Sequence, residues 1–442
     1  MTLRIGTGAG FSSDRLDPAV DLAAQGALDY LVFECLGERT LAFGHRDRQL
    51  DATRGFNPWL ARRLQAVLPH CKAHGTRIVT NMGVANPLAA QAEALRVARE
   101  LGWHGCKVAA VLGDDVSHLL GPDTPLLEGM TVAQTGRTFL GANAYLGAQG
   151  LVDALTAGAD IVIAGRVADP SLFLAPMCAH YGWSLDDWTR LSRGTVVGHL
   201  MECAAQITGG YFADPGYKDV AGLARVGFPI AEVESDGTGV ITKLEAAGGL
   251  VDARTVKEQL FYEVHDPTRY LTPDVTADFT QVRLHSDGKD RVSVAGADGT
   301  QRPDQLKVTV AFDGGQLAEA GLSYAGPGAR ERGQLAADIV NERMTQVHGS
   351  NAPLRVDLIG VSSLHATVRD YESNAQDVRL HCALRGSSRE EAELLLWEVE
   401  SLLCCGPAGG GGYRGNITPS VITYSAFVDR DHVTSDVIME AA

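Results

Sequence analysis

Short apolar runs and longer stretches of helical spacing alternate along the first 165 residues. Apolar runs of four to seven residues are typical of strands buried on both faces. The helical stretches between them begin at Asp17-Pro18, Asn57-Pro58 and Asn86-Pro87, and end at Gly75, Gly102 and Gly158. The strands are predicted at LRIG (3–6), LDYLVFE (28–34), TRIVT (76–80), CKVAAVL (106–112), RTFLGA (137–142) and ADIVIAG (159–165). Strand, capped helix and strand in this order predict parallel βαβ units.

The pattern changes after residue 166. Residues 166–225 have helical spacing, whereas 279–315 alternates at period two between Asp-Gly turns, which predicts antiparallel strands. Helices at 329–345 and 388–403 enclose strands at 354–363 and 377–386. We predict an α/β fold with two domains, an N-terminal parallel βαβ sheet domain (1–235) and an α+β domain with antiparallel strands (236–442).

Composition and charge narrow the function classes. Thirty-eight Lys and Arg against 54 Asp and Glu give a net charge of −16, which disfavours nucleic acid or an anionic membrane as a partner. A small anionic substrate remains compatible, because it responds to the local charge of a pocket. No run of 18 apolar residues is present, and the first residues predict a strand instead of a signal peptide. We expect a cytoplasmic chain that forms a homo-oligomer, with its eight cysteines reduced.

Polar residues and glycines follow the predicted strands, where ligands of parallel α/β sheets bind. Glu34, Asn81 and Asn143 follow three of these strands, and Arg166 and Asp169 follow another. After the first strand comes a loop that either binds an anion or dinucleotide or is a structural turn, with Gly6, Gly8, Gly10, Ser12, Asp14 and Arg15 as its candidate residues.

Each of the later candidates has a chemical and a structural interpretation. Arg166 suits a bidentate contact with a substrate carboxylate, and Asp169 is either a proton-transfer group or a helix N-cap. Asn81 and Asn143 orient a carbonyl or occupy turns. His199 and Glu202 share one helix face, as an acid–base pair or as a satisfied buried pair. The run GPAGGGG (406–412), with Gly409, Gly410 and Gly411, is an anion-binding nest, a hinge or a surface loop.

The sequence contains no Walker A, GxSxG, HExxH or protein-kinase motif set. Nucleotide-dependent chemistry and esterase-type acyl transfer are therefore disfavoured. The cofactor stays unknown, and a divalent metal held by Glu34, Asp114, Asp115 and His199 is one alternative.

Several of these segments together resemble the AtuA-type family, also called DUF1446. The resembling segments are RIGTGAGFSSDRLDPAVDLAAQGALDYLVFECLGERTLA, TNMGVANP (80–87), AGRVADPSLFLAP (164–176), GHLMECAAQITGGYF (198–212), YEVHDPTRYLTPDV (262–275) and GPAGGGG (406–412). The family is named for acyclic terpene utilisation, and its relatives accompany catabolism through branched acyl-CoA intermediates. Many relatives carry or pair with a small DUF4387-type domain, so the resemblance implies a separate partner subunit of that type.

We hypothesise a catabolic enzyme that acts on a small carboxylate or acyl-CoA at the strand carboxyl ends. Lyase chemistry, either hydration or dehydration, is favoured. Arg166 or Arg15 would hold the carboxylate, and Glu34, Asp169 or the His199/Glu202 pair would move the proton. The alternatives are a noncatalytic ligand-binding or assembly subunit of a catabolic complex, and a metal-dependent enzyme.

Overall fold

A computed structural model describes residues 2–363 and 375–442. The helices are α1 (Asp17–Gln25), α2 (Glu38–Leu50), α3 (Leu60–His74), α4 (Pro87–Glu100), α5 (Gln149–Thr156), α6 (Ser171–Tyr181), α7 (Trp188–Glu202), α8 (Ala253–Phe261), α9 (Ala329–Glu342) and α10 (Arg389–Cys405). The strands are β1 (Leu3–Ala9), β2 (Tyr30–Phe33), β3 (Arg77–Thr80), β4 (Lys107–Leu112), β5 (Phe139–Ala144), β6 (Ile161–Ala164), β7 (Pro229–Val233), β8 (Gly239–Lys243), β9 (Tyr270–Leu271), β10 (Thr276–Asp278), β11 (Arg283–Ser286), β12 (Val292–Ala295), β13 (Asp298–Thr300), β14 (Gln305–Ala325), β15 (Leu354–Ile359), β16 (Asp377–Ser387), β17 (Gly411–Asp429) and β18 (Asp436–Ala441).

Ten strands form one mixed sheet in the order β11-β12-β8-β7-β1-β2-β3-β6-β4-β18. Its centre is parallel, because β1, β2, β3, β6 and β4 pair in the same direction. Antiparallel strands continue the sheet on both sides. The predicted fold class is confirmed: a parallel βαβ region is combined with antiparallel strands.

One predicted strand lies outside this sheet. The segment predicted at 137–142 forms β5, which pairs with β14. The reason is that both edges of β4, the strand before it, are already paired, with β6 on one side and β18 on the other.

The helix starts were predicted with uneven accuracy. Asn86 caps α4 as expected, since its side chain accepts a hydrogen bond from the Ala89 amide. Asp17 was expected to cap α1, but the helix begins at Asp17 itself and its N-cap position, Leu16, has no side-chain cap. The side chain of Asn57 accepts from the Trp59 amide in the turn before α3.

The chain separates into two compact units. Residues Met1–Ala311 and Thr423–Ala442 form the first unit, and Phe312–Ile422 forms the second. This division differs from a boundary near residue 235, because β7 and β8 on either side of that residue pair with each other within the ten-stranded sheet. The second unit is therefore an insertion between two parts of the first.

Each unit buries its own apolar side chains. In the first unit, the ten-stranded sheet carries helices against it and buries side chains such as Val162 and Phe173. In the second, the antiparallel order β15-β16-β14-β17 packs with α9 and α10 around side chains such as Leu380 and Leu395. No helix among the described residues is long and apolar enough to cross a membrane.

Candidate functional site

A cavity of about 290 Å³ opens in the first unit, at the side where β6 ends. Four acidic side chains line it, together with two tyrosines and one lysine. These are Glu38, Asp169, Glu202, Glu263, Tyr145, Tyr270 and Lys307. Apolar residues line it as well, including Leu271 and Phe427, which are both about half exposed. The cavity combines ionisable groups with an apolar rim.

Arg166 and Asp169 form the ion pair that follows β6. The guanidinium is 1% exposed, and it donates to the carbonyls of Leu36 and Val167 as well as to Asp169. It also lies over the ring of Tyr145, with its central carbon 4.4 Å from the ring centroid. Backbone carbonyls and Asp169 already accept hydrogen bonds from the guanidinium. Arg166 therefore contributes positive charge to the site more than it contributes hydrogen-bond donors to a substrate.

Glu34 stands directly after β2 and is buried. Its Oε1 accepts hydrogen bonds from the Leu36 amide at 2.7 Å and from the Asn81 side chain at 2.9 Å. Asn81 in turn accepts from the Cys35 amide, so its side chain is fixed in place. In this structure Asn81 orients the candidate acid Glu34.

His199 and Glu202 lie one turn apart on α7, and both are buried. Nδ1 of His199 is 3.0 Å from Oε1 of Glu202, while Oε2 of Glu202 has no hydrogen-bond partner in the described chain. The other ring nitrogen of His199 faces the backbone of Gln259 and Leu260 without a well-formed hydrogen bond. The aromatic rings of Tyr270 and Phe279 close the remaining side of the imidazole.

Burial changes the protonation of this group of carboxyls. Burial, and then the negative charge of Asp169, raise the pKa of Glu34 to about 8, although Arg166 opposes the shift. The pKa of Glu202 is raised well above its usual range by the same two causes. Burial also raises the pKa of Asp169, while the guanidinium of Arg166 favours its charged form. Arg166 thus favours the charged form of Asp169, whereas burial favours the protonated forms of Glu34 and Glu202.

The imidazole of His199 is neutral at the same pH. Burial lowers its pKa to about 4, because the charged form loses the solvation of water. The contact of 3.0 Å between His199 and Glu202 is therefore a hydrogen bond to a neutral imidazole and not an ion pair.

A second polar group in the cavity consists of Glu38, Tyr145 and Lys307, and Glu38 lies at the start of α2. It accepts a hydrogen bond from the hydroxyl of Tyr145 at 2.6 Å and lies 3.5 Å from the ammonium of Lys307. Burial alone would raise the pKa of Glu38, but these contacts bring it below its usual value. Glu38 is therefore a charged hydrogen-bond acceptor at neutral pH.

A buried chain of hydrogen bonds leads from His45 to the backbone amide of Arg166. His45 bonds Asn143, whose amide donates to Asp114 at 2.8 Å, and Asp114 accepts from the Arg166 amide at 2.7 Å. Burial raises the pKa of Asp114 to about 6. Asn143 thus lies in the support of the site and does not line the cavity.

The glycines of the first strand are packed tightly against protein. Gly6 and Gly8 lie within β1, where an added Cβ would meet Leu28 and the ring of Phe33 at 2.5 Å. Gly10 follows the strand, and its added Cβ would lie 2.5 Å from the backbone carbon of Cys203. At these three positions the protein itself fills the space that a side chain would take.

The remaining residues of that loop bind one another and neighbouring backbone. Asp14 accepts from the amides of Gly10 and Arg15, and Ser12 accepts from Asn57. The exposed Arg15 donates to the carbonyl of Leu223. None of the loop residues lines the cavity that contains Asp169 and Glu202.

The glycine-rich run near the C-terminus belongs to the second unit. Gly409 and Gly410 follow α10 in the turn that leads to β17, and Gly411 is the first residue of that strand. Gly409 has a positive φ of 76°, and the guanidinium of Arg332 lies close to it. An added Cβ at Gly410 would meet Leu322 and Tyr324.

The residues considered for a metal do not converge. The described residues include no group of three or more His, Cys, Asp or Glu side chains placed to hold one ion. Glu34 and Asp114 instead accept hydrogen bonds from amide groups, and His199 pairs with Glu202.

Four residues of the cavity were not singled out from the sequence. These are Glu38, Glu263, Tyr270 and Lys307. A signal existed for three of them, since Glu38, Glu263 and Tyr270 lie in two of the segments that carry the family resemblance. Glu38 and Lys307 approach each other only through the fold.

The fold and the cavity define an α/β protein with a buried group of carboxyls at the carboxyl ends of parallel strands. The family described as acyclic terpene utilisation family protein AtuA matches residues 3–439. The chain therefore belongs to this family. No curated protein and no solved structure matches the chain. Membership of the family suggests a catabolic role.

Proposed function

We propose that the chain is a hydro-lyase, a hydratase or dehydratase, that acts on a small carboxylate or acyl thioester in the cavity beyond β6. The observation that carries the proposal is that Asp169, in an ion pair with Arg166, and Glu202, whose pKa burial raises well above its usual range, line the same cavity. A hydro-lyase needs such a base and acid together.

Asp169 is suited to act as the base. Its side chain is 38% exposed, so it is accessible from the cavity, and the guanidinium of Arg166 favours its charged form. In dehydration it would take the proton from the carbon next to the carbonyl. The electron pair of that C–H bond then forms the double bond.

Glu202 is suited to act as the acid. Its proton would pass to the departing hydroxyl group, which leaves as water, while His199 holds the carboxyl in position. After this step Asp169 carries one proton more and Glu202 one proton fewer, so transfer within the group of carboxyls restores the starting state. Hydration follows the same steps in reverse.

The other lining residues fit a substrate with a polar and an apolar end. Lys307 and the hydroxyl of Tyr270 offer hydrogen-bond donors to an oxygen atom, and charge on that oxygen would develop in the transition state. Leu271 and Phe427 offer apolar surface to a hydrocarbon chain.

The test is turnover and proton exchange by the purified chain. A panel of branched 3-hydroxy and 2-unsaturated acids and thioesters is incubated in deuterium oxide. Deuterium at the carbon next to the carbonyl and loss of the conjugated double bond are then followed. Glu202→Gln and Asp169→Asn are each expected to lower kcat by roughly 10²–10⁴-fold.

The matched control is Glu245→Gln, the same chemical change at an exposed position outside the cavity. It should leave kcat unchanged. Circular dichroism melting separates loss of catalysis from loss of folding, since Asp169→Asn removes the partner of a buried guanidinium. Full turnover in either cavity variant, or no exchange with any compound of the panel, would overturn the proposal.

A further inference from the structure

A second concave region of the first unit adjoins the cavity. It measures about 700 Å³, and we call it the aromatic–basic groove after six of its lining residues, Phe212, Tyr217, Phe261, Lys218, Arg254 and Lys257. Glu263 lines both the groove and the cavity, so the two regions meet at this residue.

The rings of the groove are unusually accessible. Tyr217 is 85% exposed and Phe261 is 52% exposed, although aromatic side chains normally bury much of their surface. Phe212 is buried beneath two cations, with the Lys218 ammonium 4.8 Å and the Arg254 guanidinium 5.8 Å from its ring centroid. Exposed rings beside cations are suited to stack on a flat aromatic group.

The cations of the groove are only partly neutralised. Lys218 pairs with Glu258 at 2.5 Å, and Arg254 pairs with Asp252 at 2.7 Å. Lys257 is exposed and has no ion pair among the described residues. Glu258 and Glu263 also line the groove, so its lining holds three cations and two acidic residues, and Lys257 is the cation left for a phosphate group in a chain with a net charge of −16.

The backbone at the junction is strained. Glu263 has a φ of 59°, in the left-handed region that a residue with a long side chain rarely adopts. Such strain is concentrated at functional sites, where the surrounding structure enforces it. Here it occurs at the residue that lines both regions.

We propose that the aromatic–basic groove binds the phosphorylated nucleotide end of a carrier thioester, of the coenzyme A kind. The base would stack on the exposed rings, and the phosphates would contact Lys257, Lys218 and Arg254. The acyl part would then pass Glu263 into the cavity. The placement of the acyl part rests on the proposed function. That function allows a small carboxylate or an acyl thioester, and this inference selects the acyl thioester.

The probe is adenosine 3′,5′-bisphosphate, which carries the base and phosphates without an acyl group. Its dissociation constant is measured by calorimetric titration of the full chain. Lys257→Ala and Phe261→Ala are each expected to raise Kd about tenfold, through lost charge and lost stacking respectively. Both side chains are exposed, so the variants should fold.

Two control variants remove the same groups elsewhere. Lys289→Ala and Phe11→Ala alter an exposed lysine and a 57% exposed phenylalanine outside the groove, and they should leave Kd unchanged. Absence of saturable binding, or equal effects of groove and control variants, would overturn the inference. Inorganic phosphate that competes as well as the nucleotide would also overturn it, because the rings would then contribute nothing.

The experiment separates this inference from the proposed function. Glu202→Gln should bind the bisphosphate like the unmodified chain, because the probe does not enter the cavity. If the chain turns over a free acid and does not bind the nucleotide, the proposed function holds. The inference that the groove binds a carrier thioester would then be wrong.

Discussion

Glu34 illustrates how one buried carboxyl can keep its proton at neutral pH. Its Oε1 accepts hydrogen bonds from the Leu36 amide and from Asn81, and these favour the charged form, but burial outweighs them and raises the pKa. Asp169, however, has the guanidinium of Arg166 as its ion-pair partner. Because two adjacent carboxylates repel, the group without the partner stays protonated.

This difference predicts a pH dependence of stability. Folded Glu34 keeps its proton up to about pH 8, whereas a glutamate in the unfolded chain loses its proton near 4.5. Between these values the unfolded chain binds fewer protons, so the free energy of unfolding falls as pH rises. Glu34→Gln cannot ionise and preserves both accepted hydrogen bonds. Between about pH 5 and pH 8 we expect the free energy of unfolding to fall less in this variant than in the unmodified chain, with a difference on the order of 2 kcal/mol.

Urea unfolding at a series of pH values measures this decline. Part of it should persist in the variant, since Glu202 and Asp169 also have raised pKa values. Parallel curves for the variant and the unmodified chain would show that Glu34 ionises normally in the folded state.

At the scale of elements, the glycines around β1 determine how closely that strand approaches its neighbours. Gly10 lies against the backbone of Cys203 and Ala204, directly after Glu202 at the end of α7. Gly8 accommodates the ring of Phe33 in the same way. The spacing of these glycines therefore serves packing of the strand against the end of the helix that carries the candidate acid.

Gly10→Ala should destabilise the first unit by roughly 1–3 kcal/mol, because backbone atoms cannot move aside as a flexible side chain can. It should also lower activity through displacement of Glu202. Gly121→Ala is the matched control, since nothing lies within 4 Å of an added Cβ there and its φ is not positive. Equal melting temperatures for the two variants would contradict the packing role of Gly10.

Local signals explain which elements were predictable. The parallel strands and the cap at Asn86 depend on residues close in sequence, and they were predicted nearly at their observed limits. The pairing of β18 with β4 was not predictable, because it joins residues more than 300 positions apart. The β1 glycines show a further limit: the sequence indicates close approach but does not reveal whether a ligand or the protein itself approaches.

The site was predictable to a similar degree. Glu34, Asp169, His199 and Glu202 were identified from strand ends and one helix face, and the structure brings Asp169 and Glu202 into one cavity. The role of Arg166 was not predictable, because backbone carbonyls that occupy its donors leave no trace in the sequence.

At the scale of the whole molecule, the two units have separate apolar cores. The first unit surrounds its sheet with buried side chains, and the fully buried core residues described in the second lie between Ala318 and Leu402. The chain enters and leaves the second unit through the long strands β14 and β17. Separate cores predict that each unit unfolds as its own cooperative transition.

Leu380→Ala tests this expectation. Leu380 is fully buried in β16, and loss of its side chain should cost about 2–5 kcal/mol through lost burial and the cavity left behind. In calorimetry it should lower the melting temperature of one transition and leave that of the other unchanged.

Leu151→Ala, at a fully buried position of α5 in the first unit, should lower the melting temperature of the other transition instead. Because the aromatic–basic groove belongs to the first unit, only Leu151→Ala should lower the temperature at which binding of the bisphosphate is lost. A single transition shifted equally by both variants would mean that the chain unfolds as one cooperative body.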